Sequence, residues 1–186
     1  VLSNSSYILK RIMDLGVKNL PTGVISYPSD AVLLKPSNEG VEDLRSNLGL
    51  SKENFVIFAF GRLVYKKGFE YLIRAMPQVV KRYPKARLIV GGDGDLMKDL
   101  RRLAKDINVS RQVLFVGTIN RDENLKYYNL ADVLVAPSII DKFGNVDGGP
   151  VVSFESMACG KPQIATDILG VADYIENGVN GYKVPQ

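Results

Sequence analysis

The sequence predicts an α/β fold built on a doubly wound, Rossmann-like parallel sheet. From residue 55 onward, short apolar segments of strand length alternate with amphipathic segments of helical period. The strand segments are apolar at consecutive positions, as expected of strands that are buried on both faces. Regular alternation of such strands with helices is typical of a parallel sheet that carries helices on both sides.

The individual elements follow from local patterning. Phe69, Ile73 and Met76 recur at helical spacing, and Pro77 in the same segment is expected to kink the helix or open it locally. Asn120, with Glu123 three residues later, predicts a capping box, and residues 160–162 (Gly-Lys-Pro) predict a helix end. The predicted strands cover residues 55–60, 87–90, 113–116, 132–136 and 163–165, and the predicted helices cover residues 69–80, 96–107, 121–130 and 151–158.

The first fifty residues are less regular. They predict a helix over 4–15 and a strand over 24–27, followed by a polar stretch rich in Pro, Ser, Asn and Glu. We place a domain boundary at 36–40. Residues 1–35 are then the residual tail of another, amino-terminal domain, a linker extends to about residue 50, and residues 51–186 form a domain truncated at its carboxyl end.

Composition removes several classes of chemistry. The 186 residues include no histidine, which excludes Ser-His-Asp and Cys-His nucleophile systems and histidine-rich metal sites. The single cysteine, Cys159, is predicted to be a small packed residue rather than a nucleophile. No apolar stretch has the length of a bilayer span and no leader pattern follows Val1, so we expect a cytoplasmic protein.

The net charge of +4 is concentrated in one part of the chain. The basic excess lies between residues 61 and 111, mostly on predicted helices. Nucleic acid is disfavoured as a partner because these basic residues are not interleaved with aromatic residues that could stack on bases. Attraction of an anionic substrate, or of an acidic membrane surface at the cytoplasmic side, stays open.

Two loops predict an anion site. Gly61, Arg62 and Lys67 lie in the loop that leaves the strand over 55–60, and open α/β sheets bind ligands at the carboxyl ends of their strands. In the second loop, Gly148 and Gly149 permit a tight turn. The following residues, Pro150, Val151 and Val152, then open a helix whose free amides suit an anion.

Glu155 lies one turn into the same helix, on the side of Val151 and Val152. Its carboxylate can accept two hydroxyl hydrogen bonds from a sugar ring. The implied ligand is a phosphate beside a polyol.

The glycine clusters do not match a dinucleotide site. Gly92 and Gly94 are followed by Met97 where a third glycine is needed, and the loop over 61–68 lacks the Gly-Lys-Ser/Thr ending of a P-loop. For residues 91–94, a strand-to-helix turn and direct ligand contact both stay open.

At these residues the chain resembles the carboxyl-terminal half of a retaining glycosyltransferase of the GT-B type, in family 4 (glycosyl transferases group 1), which uses nucleotide-diphosphate sugars. The motifs occur in the family's order: G-R-L and K-G at 61–63 and 67–68, G-D-G at 92–94, F-x-G at 115–117, P-S at 137–138, E-S-M-A-C-G-K-P at 155–162 and N-G-x-x-G at 177–181.

The resemblance implies roles for individual residues. Arg62 and Lys67, with Lys66 nearby, would hold the donor diphosphate without a metal or other cofactor. Asp147 would touch the transferred sugar and Glu155 the ribose, since they match the two acids of the family's E-x7-E, in which glutamate is usual at the first position. The nucleobase would be framed, largely through backbone atoms, by Ile119, Asn120 and Arg121.

The resemblance also implies a function for the whole enzyme. It would transfer a sugar, most simply a hexose, from a UDP-, GDP- or ADP-linked donor to a glycan or lipid-linked acceptor, in a branch that serves polysaccharide assembly. The acceptor domain would lie amino-terminal, so this chain alone is expected to be inactive. Two alternatives stay open: a stand-alone sugar-nucleotide binding module without turnover, and a GT-B-type sugar-nucleotide epimerase.

Overall fold

The structure, a computed structural model, describes residues 1–25, 30, 32–145, 147, 151–168, 170 and 172–186. The amino-terminal segment consists of β1 Leu2–Ser3, α1 Ser6–Asp14 and β2 Gly23–Val24, and the two strands pair in parallel. Ser5 caps α1 because its hydroxyl accepts a hydrogen bond from the Ile8 N–H at 3.3 Å. The helix predicted over 4–15 is therefore confirmed, but it begins two residues later and ends one residue earlier than predicted. The predicted strand over 24–27 starts one residue earlier and ends at Val24, and residues 26–29 lie outside the described part.

A six-stranded parallel sheet forms the centre of the main unit. Its spatial order is β5-β4-β3-β6-β7-β8, and every strand predicted from residue 55 onward is confirmed to within one residue at each end. The edge strand β8 follows the predicted N-G-x-x-G motif and was not expected. The strands are β3 Phe55–Phe60, β4 Ala86–Gly91, β5 Val113–Gly117, β6 Val133–Ala136, β7 Gln163–Thr166 and β8 Gly181–Val184.

The strand order contains a switch point between β3 and β6. The chain leaves β3 towards β4 and β5, and returns to the other side of β3 with β6. In a doubly wound sheet, a crevice forms at the carboxyl ends of the two strands where the order reverses, and ligands bind there. The loops that follow β3 and β6 border this crevice.

Helices cover both faces of the sheet, as the alternation of strands and helices predicts. One core lies between the sheet and the helices α3 Phe69–Arg82 and α4 Met97–Asp106, and it includes Ile57 and Ala59 of β3. The intervening residues of the same strand, Val56 and Phe58, point into a second core. This second core lies against α2 Val41–Asn47, α5 Arg121–Leu130 and the end of α6 Val151–Ala158.

The structure bears on three local expectations, of which only the side-chain capping bond of Asn120 is wrong. The helix α3 runs unbroken through Pro77, because Phe69, Ile73 and Met76 are fully packed on its inner side and hold it to the sheet. Asn120 is the N-cap of α5, but its side chain makes no capping bond; its backbone carbonyl accepts from the Glu123 N–H at 2.9 Å instead. Helix α2 forms within the stretch predicted to be a linker, and Val41 anchors it in the second core. The division into domains stays a prediction.

Candidate functional site

The loop after β3 is fixed by backbone contacts with the turn after β4. Leu63 donates its N–H to the Asp93 carbonyl at 2.9 Å and accepts at its own carbonyl from the Leu96 N–H at 3.1 Å. A Cβ at Gly92 would lie 1.9 Å from the Gly61 carbonyl oxygen, so only glycine permits this approach. Of the two interpretations left open for residues 91–94, these contacts support a structural turn that carries the Arg62 loop.

The same loop is also fastened to the loop after β6. Its short 3-10 turn, Tyr65–Lys67, ends at Gly68, where a Cβ would lie 1.8 Å from the Pro137 carbonyl oxygen. Lys66 accepts a hydrogen bond at its backbone carbonyl from the Ile139 N–H at 2.9 Å. The two loops that border the switch point therefore form one connected surface.

Lys67 and Asp147 meet at this surface. The lysine ammonium forms a salt bridge with Asp147 Oδ2, and the two side chains are only 17% and 15% exposed. Ser138, which is buried, donates from its hydroxyl to the same oxygen at 3.4 Å. From the sequence, Lys67 was expected to contact the phosphate and Asp147 the sugar. The structure brings these two side chains into direct contact.

Arg62 differs from Lys67 in its surroundings. Its side chain is exposed, and no carboxylate of a described residue forms an ion pair with it. An arginine held for structural reasons would ordinarily be paired or packed along its stem. Here the guanidinium is left available to an anion at the carboxyl end of β3.

Helix α6 begins at Val151, as predicted, while Gly148, Gly149 and Pro150 lie outside the described residues. One turn on, the half-buried Glu155 accepts a hydrogen bond at Oε2 from the Tyr128 hydroxyl of α5, at 2.5 Å. Burial, together with the neighbouring Glu155 carboxylate, raises the pKa of Tyr128 above its usual range. The tyrosine is therefore a neutral donor to this carboxylate.

The residues predicted to frame a nucleobase lie at the same edge of the sheet, between β5 and α5. Ile119 is buried beneath Gly91, where an added Cβ would lie 2.5 Å from its Cδ1 atom. Asn120 and Arg121 are exposed. Only backbone atoms and the last two side chains can therefore meet a ligand here. Strand β5 is two strands from β3, or about 10 Å at the usual spacing.

Cys159 behaves as the sequence predicts. Its side chain is 2% exposed within the second core, and burial raises the pKa of its thiol. A neutral, enclosed thiol is not a nucleophile.

Among the described residues, no group of three or more acidic, cysteine or histidine side chains is placed to hold a metal ion. None of the helices in the described ranges is both long and apolar enough to cross a bilayer.

A cavity of about 790 Å³ lies between α3 and the strands β6 to β8, near their amino ends, on the far side from Arg62 and Lys67.

Comparison with known proteins decides the family. The family described as glycosyl transferases group 1 matches residues 40–186. The chain belongs to this family. Its parallel sheet with helices on both faces matches the carboxyl-terminal domains of GT-B glycosyltransferases, and the Rossmann-like prediction is confirmed.

Individual relatives support the assignment to glycosyl transferases group 1. An uncharacterized glycosyltransferase of Methanocaldococcus jannaschii is 37% identical over 142 residues, which are 76% of this chain and 35% of that protein. A GDP-mannose-dependent alpha-(1-6)-phosphatidylinositol monomannoside mannosyltransferase of Mycolicibacterium smegmatis is 31% identical over 169 residues, 90% of this chain and 43% of that protein. The chain thus spans less than half the length of these relatives.

A solved structure gives the same result. The crystal structure of HepE from Anabaena in complex with UDP-glucose superimposes with a TM-score of 0.85 at 28% identity, and the match covers 100% of this chain and 49% of that one. The matched part of HepE has the same parallel-sheet fold as this group 1 chain.

Two residues at the site were not predicted. Ser138 lies two residues after the end of β6, in the P-S motif, and its position near the end of the strand beside β3 was a usable signal. Tyr128 lies on α5, and nothing in the local sequence indicates that it faces Glu155 on α6.

Proposed function

We propose that this chain is the donor-binding half of a retaining, family 4 glycosyltransferase that uses a nucleotide-diphosphate sugar. The observation that carries the proposal is the Lys67–Asp147 salt bridge at the switch point of the sheet, beside the exposed Arg62 on the same loop as Lys67. Two cations and a carboxylate, on loops that are tied together, suit a diphosphate and the sugar attached to it. The likeness to HepE, which binds UDP-glucose, supports this assignment.

Each residue then has a task in the transfer. Departure of the nucleoside diphosphate leaves negative charge, which Arg62 and Lys67 stabilise together with the amides of Val151 and Val152 at the start of α6. Lys66 adds positive charge nearby. Because these groups are already in place, they lower the barrier without waiting for solvent to reorganise.

The carboxylates orient the donor rather than attack it. Asp147 contacts the sugar that is transferred, and Glu155 accepts hydrogen bonds from the ribose. The acceptor attacks on the face that the diphosphate leaves, and the leaving phosphate helps to remove the acceptor's proton. No carboxylate of this chain acts as a nucleophile.

Binding of the donor changes the partner of Lys67. In the structure its ammonium is held by Asp147. A diphosphate that enters beside Arg62 brings more negative charge than one carboxylate does, so the lysine shifts to the phosphate or bridges the two. Asp147 is then released to meet the sugar hydroxyls.

The acceptor is a glycan or a lipid-linked saccharide. The mycolicibacterial relative, whose name gives a phosphatidylinositol monomannoside acceptor, supports a lipid-linked choice. We propose that an amino-terminal domain of the same enzyme supplies the acceptor wall, and that the enzyme works in the cytoplasm, at or near the membrane surface. The chain alone binds the donor but transfers no sugar.

Calorimetry tests the donor site directly. Titration of the folded chain with UDP, GDP and ADP should show one clear binder, and a chelator should leave that binding unchanged because positive side chains and amides serve the diphosphate. Flat titrations with all three nucleotides would overturn the assignment. Loss of binding with chelator would overturn only its metal-free form.

A further inference from the structure

The hydroxyl of Tyr128 is directed to the carboxylate that we assign to the donor ribose. The tyrosine side chain is 0% exposed, and its ring packs edge-on against Phe58 with centroids 5.8 Å apart. Its hydroxyl donates to Glu155 Oε2 at 2.5 Å. A buried hydroxyl needs a hydrogen-bond partner, and here the partner belongs to the site.

We propose that Tyr128 is a positioning residue that sets the Glu155 carboxylate for the ribose of the nucleoside diphosphate. The inference rests on the proposed function, because it takes Glu155 as the ribose contact. Tyr128 itself does not touch the donor. It acts through the geometry of one carboxylate oxygen.

Glutamate has several rotatable bonds, and on a half-buried helix surface its carboxylate samples more than one position. The bond from Tyr128 fixes Oε2 against the second core. Oε1 has no hydrogen-bond partner among the described residues. Its two lone pairs are free, which suits the two adjacent hydroxyls of a ribose.

The Tyr128 hydroxyl keeps its proton and can donate a hydrogen bond. Burial first, and then the neighbouring Glu155 carboxylate, raise the pKa of its hydroxyl above the usual range. The thiol of Cys159, one turn beyond Glu155, also has its pKa raised by burial and stays neutral. The carboxylate is therefore the acceptor in this cluster.

Ribose recognition can be measured apart from phosphate binding. The test compares the dissociation constants of UDP, GDP and ADP with those of their 2′-deoxy counterparts, on the chain as it stands. The deoxy form lacks one hydrogen bond to a charged group. Its dissociation constant for the wild type should therefore be higher by about tenfold or more. In Tyr128→Phe this ratio should fall to about threefold or less, because the carboxylate is no longer held in place.

A matched control is present in the same helix. Tyr127 stacks on Phe58 with centroids 5.7 Å apart, and its hydroxyl has no partner among the described residues. Tyr127→Phe should therefore keep the wild-type ratio. In a Glu155→Ala background, Tyr128→Phe should change the ratio no further, since the two residues act as one unit.

The outcomes separate the two proposals. If the wild type binds none of the diphosphates, the proposed function fails, and the inference fails with it. If the wild type binds and Tyr128→Phe keeps the full ratio, or weakens the ribo and deoxy forms equally, the tyrosine has only a structural role. A wild type that binds without distinguishing the two forms also overturns the inference.

Discussion

Lys67 and Asp147, which lie 80 positions apart in the sequence, form a salt bridge where the loops after β3 and β6 meet. The pair joins the predicted phosphate contact to the predicted sugar contact. Under the proposed function, a donor enters a site whose lysine already has a partner. The free energy of donor binding then includes the cost of changing that partner.

Asp147→Asn should separate binding from transfer. The substitution removes a negative charge beside the diphosphate and weakens the hold on Lys67, so the nucleoside diphosphate should bind about three- to tenfold more tightly. Turnover of the complete enzyme should fall, because the sugar loses a contact. Calorimetry and steady-state kinetics measure the two effects, and weaker nucleotide binding would contradict the release of Lys67.

Arg62→Ala should reduce turnover of the complete enzyme by roughly 10² to 10³. Losing one preorganised donor at the site of developing charge typically costs about 3 to 4 kcal/mol of transition-state stabilisation. The matched control is Arg74→Ala on α3, where the arginine pairs with Glu70 at 2.8 Å and both side chains are solvent-accessible. That exposed pair is worth about 0 to 1 kcal/mol.

Equal melting temperatures for the two arginine variants would show that the folds are intact. A well-folded Arg62→Ala enzyme with near-normal turnover would falsify the diphosphate role of Arg62.

Glu155→Gln should raise the KM for the donor by about tenfold with little change in kcat, because ribose contacts are made equally in the ground and transition states. The amide oxygen of glutamine can still accept from Tyr128, so the packing of α5 on α6 is kept. Initial rates over a range of donor concentrations measure both constants. A fall in kcat at unchanged KM would instead place Glu155 at the reacting bond.

Gly92→Ala should lower the free energy of unfolding by more than about 2 kcal/mol. The added Cβ would lie 1.9 Å from the Gly61 carbonyl oxygen. The backbone at Gly61 or Gly92 would have to move to relieve this clash, and either movement displaces the loop of Arg62. Gly49→Ala is the control, since Gly49 also has a positive φ, of 66°, but nothing lies within 4 Å of the added atom. It should cost about 1 kcal/mol.

Urea denaturation of both glycine variants gives the comparison. Similar losses would mean that backbone conformation alone, and not the contact with Gly61, sets the need for glycine at position 92.

The sequence predicts the sheet of this protein well because its strands are buried on both faces and read as continuous apolar runs. The edge strand β8 does not have this pattern, because Tyr182 and Val184 are exposed and the strand begins at Gly181. Helix α2 escapes it as well, since its surface is polar and Val41 is its one buried residue among those described. Elements at the margin of a core carry a weak apolar signal.

The site divides in the same way. Arg62, Lys67 and Glu155 can be placed from local patterns, because each follows a strand end or a helix start. The partners that Lys67 and Glu155 contact cannot be predicted in this way. That Lys67 meets Asp147 depends on β3 and β6 being neighbours, and that Tyr128 meets Glu155 depends on how α5 packs on α6.

The loop that carries Arg62 rests on the turn after β4 through peptide groups at Gly61, Leu63 and Gly92, and the buried side chain of Leu63 packs in the first core. During divergence of such enzymes, the exposed residues Asn120 and Arg121 after β5 can change to accept another base while the loop proposed to hold the diphosphate keeps these contacts. Under the proposed function, base preference and phosphate binding can thus evolve independently on one scaffold.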